Sequence, residues 1–262
     1  MTTELEVLGL VSDRLSMRGL PFMLTSSFAL AYYATPRMTR DLDIVVALND
    51  HDVVQLVAAF APDFYIDAET ARTAVQSEGM FNLMHLESGV KVDFIVRKSS
   101  EFRQVEFARR QPVSIAGTRT WIVSREDLIL SKLVWALESN SELQRRDIHQ
   151  LLVEAVDFQL YLPVGATIGR RHFARRADAM NDTSAEVSKI VVDHYRSMTP
   201  AERWSAASSL FETARRIVES SLPSGLTTEQ RRLAIVRRLY CNELPEAALI
   251  AHARYDHSAT PA

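Results

Sequence analysis

Cysteine is all but missing: Cys241 is the one thiol in 262 residues. That excludes an internal disulfide and any zinc site built from clustered cysteines. Neither sign of charge dominates, because 30 Lys and Arg stand against 33 Asp and Glu. The net charge of −3 excludes a globally basic nucleic-acid binder while leaving room for a local basic patch. No apolar run reaches the ~20 residues that a membrane-spanning helix requires. The opening MTTELEVLGLVSDRL carries acids and a helical period where a signal peptide would carry bases and an apolar stretch. The expectation is a soluble, cytoplasmic protein with no membrane partner. The seven histidines are scattered without metal-ligand spacing, and no internal repeat interrupts the chain.

What is present reads as two kinds of sequence. Residues 3–18 place Leu5, Leu8 and Leu15 at helical spacing. A short apolar strand, Phe22-Met23-Leu24, follows, then a helix over Phe28 to Tyr33, a strand over Met38 to Ala47 and a helix over Asp50 to Phe60. Phe81 to Leu86 and Val90 to Val96 flank Gly89 as a hairpin, and Val113 to Val123 folds back at Ala116-Gly117 as a second one. Ser124 precedes acids at the start of a helix running to about Ser139, and Arg145 to Val153 gives another. Pro163 to Gly169 breaks the pattern. Beyond it the chain is helical, with Thr199-Pro200-Ala201-Glu202 and Thr227-Thr228-Glu229-Gln230 as helix starts and a last short helix at Leu244 to Ala253. The expectation is an α/β (α+β) domain over 1–160, a linker over 161–183 and an all-α region over 184–257. Trp121, Trp135 and Trp204 read as core or interface packing.

The stretch Thr39-Arg40-Asp41-Leu42-Asp43-Ile44-Val45-Val46 carries the chemistry. Side chains alternate along a strand, so Asp41 and Asp43 share one face while Leu42 and Ile44 share the other. Two like charges that close repel unless a cation or a shared proton sits between them. Asp93, inside the apolar run VKVDFIV, is a third carboxylate that needs a partner. If the two strands are neighbours, Asp41, Asp43 and Asp93 converge, and a trio of carboxylates with open positions suits Mg2+.

The run MLTSSFALAYYATPRMTRDLDIVV resembles the signature of the polymerase-β-like nucleotidyltransferases: an apolar strand, a small-residue pair, a short helix, then Asp-x-Asp and a later acid. PRMTRDLDI, with Arg37 and Arg40, is similar to the bacterial branch that includes AbiEii-type toxin enzymes. So are SREDLILSKLVWA, with Lys132, and RRDIHQLL, with Arg146 and Asp147. The resemblance spans roughly residues 1–155. It implies a small mixed β-sheet core with flanking helices, one or two Mg2+ ions on Asp41, Asp43 and Asp93, and an NTP as substrate. It further implies that Ser26, Ser27 and Arg40 contact substrate, that Lys132 neutralises phosphate charge, and that Asp147 orients Lys132. The implied partners are an RNA (tRNA) or protein acceptor and a cognate antitoxin or toxin. Where the family has Gly-Ser or Gly-Gly, this chain has Ser26-Ser27. Arg97, Lys98, Arg103, Arg109 and Arg110, and the four arginines of IGRRHFARR, are candidate contacts for an RNA backbone.

Overall fold

Seven strands form one mixed sheet in the order β3-β4-β5-β2-β1-β7-β6. They are β1 (Phe22–Leu24), β2 (Asp41–Val46), β3 (Phe64–Ile66), β4 (Met80–His85), β5 (Lys91–Val96), β6 (Gln111–Ile115) and β7 (Thr118–Ile122). The structure, a computed structural model, describes residues 3–139, 141–152, 185–240 and 243–255. The expected linker, the IGRRHFARR run and the tail after His257 lie outside the described residues. Among the described residues no helix is long and apolar enough to cross a membrane.

The centre of the sheet positions the site. β2 pairs with β1 antiparallel and with β5 parallel, while β4 and β5 form the antiparallel hairpin expected around Gly89. Leu42, Ile44 and Val46 turn into the core and are fully buried. Asp41, Asp43 and Val45 turn the other way, as the period of two requires.

Helices flank the sheet: α1 (Glu4–Met17), α2 (Ser26–Tyr33), α3 (Asp52–Phe60), α4 (Ala68–Gln76), α5 (Glu101–Ala108), α6 (Arg125–Ser139) and α7 (Glu142–Leu151). α8 (Ala185–Ser197), α9 (Pro200–Ser220), α10 (Thr228–Leu239) and α11 (Glu246–Arg254) follow. Capping boxes open α1, α9 and α10, each satisfying amides that a helix start leaves unpaired. The sequence reading had no element for β3, α4 or α5, and it started α7 three residues late because it passed over the cap at Ser141.

α9 lies across α2. Trp204 packs on Phe28 with ring centroids 4.3 Å apart, and its Nε1 donates to the Phe28 carbonyl at 3.0 Å. Arg203 donates to the carbonyls of Ala31 (3.1 Å) and Tyr32, which α2 leaves without partners at its C-terminal end. Trp204 is therefore core, as expected. Trp121 and Trp135 are exposed at 36% and 53%, so they are not core; Arg110 lies over the Trp121 ring.

α11 and α10 lean on the β4–β5 turn. A Cβ on Gly89 would stand 3.0 Å from His252 Cε1 and 3.1 Å from Val236 Cγ1, and the backbone there is left-handed (φ +72°). We expect Gly89→Ala to lose about 2 kcal/mol in urea unfolding through overlap and backbone strain. Buried His252 donates from Nδ1 to the Leu86 carbonyl at 2.8 Å. Burial, reinforced by the nearby charges of Arg232 and Arg215 and by His85, pushes its pKa from 6.5 down to about 3. The unfolded chain takes up a proton near pH 6.5 that the folded chain refuses, so stability should fall as pH drops from about 7 toward 3. His252→Gln should flatten that slope in chemical unfolding measured across the same range.

Candidate active site

Parallel pairing sets Asp43 directly beside Asp93 and Asp41 directly beside Lys91. All four side chains therefore leave the same face of the sheet, which puts Asp41, Asp43 and Asp93 on one side of it. Asp93 is buried and receives an N–H from Asn82 Nδ2 on β4 at 2.5 Å. Burial, with the neighbouring carboxylates adding to it, raises the pKa of Asp43 to about 7. The Asp41 pKa is raised to about 6, again chiefly by burial, against the opposing pull of Lys91. Both shifts say that the cleft holds more negative charge than it can solvate.

Lys91 answers part of that demand. Its Nζ stands 3.3 Å from Asp41 Oδ2, 3.1 Å from Asp93 Oδ2 and 3.0 Å from Glu243 Oε2. Burial alone would lower the lysine pKa, but Asp41 and Asp93 outweigh it and hold the ammonium well above its usual range. Glu243, just past α10, also accepts from Arg40 Nη2 at 2.7 Å, and Arg40 donates to the Leu239 carbonyl. Arg40 thus grips the C-terminal segment rather than pointing with Asp41 and Asp43. Tyr240, fully buried, accepts from the Lys91 amide at 3.4 Å and donates to the Arg40 carbonyl at 3.4 Å.

On the other flank the α2 N-terminus faces Asp43. Ser26 has φ +56°, a left-handed value that a Cβ disfavours. This is the position where the resembled family places glycine, and the backbone shape explains why. The Ser26 side chain lies close enough to Asp43 to pull its pKa down against the effect of burial. Ser27 Oγ accepts from Arg37 Nη2 at 2.5 Å, and Arg37 Nε lies 3.3 Å from the Asp147 carboxylate. Asp147 accepts from Lys132 Nζ at 2.7 Å, and Gln144 Oε1 lies 3.2 Å from the same ammonium. Lys132 and Asp147 are 2% and 1% exposed, so their pairing across α6 and α7 is a desolvated one. Burial lowers the Lys132 pKa against the pull of Asp147, and Asp43 is near enough to contribute.

Carboxylate oxygens are the donor type that a hard divalent cation takes. Asp41 Oδ1 is buried without a hydrogen-bond partner. Among the described residues no group of three or more His, Cys, Asp or Glu side chains is arranged so that it could hold a metal ion, and Lys91 stands between two of the acids. Alternation from Asp93 was the signal that could have identified Lys91 in the sequence. Nothing local marks Glu243, which reaches the cleft from 152 residues beyond Lys91. In the first basic cluster, Arg103 pairs with Glu106, and Arg109 lies 3.4 Å from Asp127, so these two serve internal ion pairs.

No protein-family model and no curated protein matches the chain. Solved structures similar to it are nucleotidyltransferase-like. One is an antigenic nucleotidyltransferase-like protein from Paracoccidioides brasiliensis: 17% identity, TM-score 0.42, covering 56% of this chain and 73% of that one. A lincosamide antibiotic adenylyltransferase with lincomycin bound gives 12%, 0.38, 56% and 94% in the same terms. ANT(2″)-Ia with adenylyl-2″-tobramycin gives 13%, 0.38, 73% and 95%. At identities and TM-scores this low, function has to be read from the residues of the cleft.

The strained backbone at Ser26 yields an inverted ordering. We expect Ser26→Gly to be more stable than Ser26→Ala by about 1 kcal/mol, because only glycine relieves the left-handed residue. At an ordinary helical position alanine is the more stable of the two. The Lys132–Asp147 pair yields another: Asp147→Ala should cost about 3 kcal/mol in thermal or urea unfolding, since it strands a buried ammonium.

Proposed function

We propose that this chain is a Mg2+-dependent nucleotidyltransferase that moves a nucleoside monophosphate from an NTP to an acceptor hydroxyl and releases pyrophosphate. The observation that carries this reading is the register of β2 against β5, which gathers Asp41, Asp43 and Asp93 on one face beside the N-terminus of α2. Asp41 and Asp43, with Asp93 alongside, would hold the Mg2+, which when bound neutralises phosphate charge and polarises the α-phosphoryl group.

The chain's own groups account for the remaining roles. The amides and hydroxyls of Ser26 and Ser27 open α2, where a helix start favours anions, and would take the terminal phosphates. Lys132, oriented by Asp147, supplies a point cation behind Asp43. The acceptor oxygen forms its bond to the α-phosphorus as the bond to the bridging oxygen breaks. Pyrophosphate leaves with that electron pair, and the hydroxyl proton passes to Asp93. Arg40, expected at the substrate, instead holds Glu243 against the cleft, and we assign it that positioning role.

The resemblance of PRMTRDLDI, SREDLILSKLVWA and RRDIHQLL to the AbiEii-type branch supports RNA, with tRNA foremost, as the acceptor. The same resemblance supports a toxin–antitoxin or phage-defence setting with a cognate protein partner in the cytoplasm. We likewise keep the division into a nucleotidyltransferase unit over 1–160 and a helical unit over 184–257 as part of this proposal.

A second reading, a nucleotide-binding module without turnover, draws on the left-handed Ser26 and on the ammonium between Asp41 and Asp93. One assay separates the readings: the purified chain with each α-labelled NTP, Mg2+, and total tRNA or cell lysate, wild type beside Asp43→Ala. We expect label in RNA with wild type and at least a hundredfold less with the variant. Label in protein or a small molecule would move the acceptor, and no Asp43-dependent label anywhere would leave only the second reading.

A further inference from the structure

We propose that Lys91 permanently fills one cation position of the cleft, so that the site takes a single divalent ion, on the Asp41–Asp43 side, instead of a pair. This rests on the nucleotidyltransferase reading for what the ion does, but the geometry that points to it is independent of the reaction.

A lysine ammonium has three N–H donors, and Lys91 has three carboxylates around it: Asp41 at 3.3 Å, Asp93 at 3.1 Å and Glu243 at 3.0 Å. The side chain is 5% exposed, so the ammonium is held by these carboxylates and not by solvent. It is fixed at both ends, because its backbone amide meets the Tyr240 hydroxyl and Glu243 is held in turn by Arg40. Driving the ammonium out would leave an unpaired buried cation and strip two aspartates of their partner. A divalent ion placed between Asp41 and Asp93 would have to share that space with a fixed positive charge.

The unfilled donors lie on the other side. Asp41 turns its Oδ2 to Lys91 and leaves Oδ1 buried without a hydrogen bond. Lys91 pairs with Asp41, Asp93 and Glu243 and, among the described residues, not with Asp43. Of Asp41 and Asp43, Asp43 lies nearer the α2 N-terminus, beside Ser26. Lys91 therefore acts as a positioning residue that fixes Asp41 and Asp93, and Glu243 ties that function to the C-terminal helices.

The test is to count ions. Mn2+ titrated into the full chain and followed by the electron paramagnetic resonance signal of the free ion should give one site in wild type and in Lys91→Arg, and two in Lys91→Met. Two sites in wild type, or one in Lys91→Met, would overturn the proposal. Should Lys91→Met fail to fold, anomalous scattering from wild-type crystals grown with Mn2+ decides. One peak beside Asp41 and Asp43 with Lys91 in place is expected, and a peak between Asp41 and Asp93 would refute it. No Mn2+ bound to any form would instead bring down the cation-site reading, and this proposal with it.

Discussion

The parallel pairing of β2 with β5 is the constraint on which the rest of the molecule depends. It brings two segments fifty residues apart into a register where Asp43 meets Asp93 and Asp41 meets Lys91. A slip of one residue would turn Asp93 and Lys91 into the core and leave Asp41 and Asp43 facing apolar side chains. The fully buried Leu42, Ile44, Val92 and Phe94 make that slip costly. The hydrophobic face of the sheet thus enforces the geometry of the polar one.

Concentrating charge in this way has a cost, visible in the raised pKa values of Asp41 and Asp43. The fold offsets it from two directions. From the sheet itself Lys91 supplies a buried cation, and from α2 the Ser26 side chain lies close to Asp43. The C-terminal helices stabilise both arrangements. α9 clamps α2 through Trp204 and Arg203, while the segment after α10 delivers Tyr240 and Glu243 to the backbone and tip of Lys91. The helical region without a recognisable catalytic motif of its own is therefore part of how the cleft is built.

Much of this was legible in the sequence, for identifiable reasons. Alternation in DLDIVV and VKVDFIV gave the two strands and their polar faces, and the Thr199 and Thr227 capping boxes gave α9 and α10. β3 is three residues long and too short to show a period. α4 (AETARTAVQ) buries only Ala71, Ala74 and Val75, so little apolar signal marks it. Ser26 was noticed as a departure from a glycine, but its left-handed backbone became visible only in three dimensions. Lys91 sits two residues before Asp93 and so on the same face, yet a lysine in a strand reads as a solvated edge until its three acidic neighbours are known. Arg40 and Glu243, 203 residues apart, illustrate the general limit. Local pattern determines which way a side chain points, and only the fold determines what it meets.

The central claim is that Asp41, Asp43 and Asp93 form one cleft short of positive charge that a divalent ion completes. Its most direct measurement is the melting temperature of the full chain across a Mg2+ titration, wild type beside Asp43→Asn. The account requires a saturable rise in wild type that follows ligand linkage and is lost in the variant. A wild-type melting temperature indifferent to Mg2+, or an equal rise in both proteins, would contradict it.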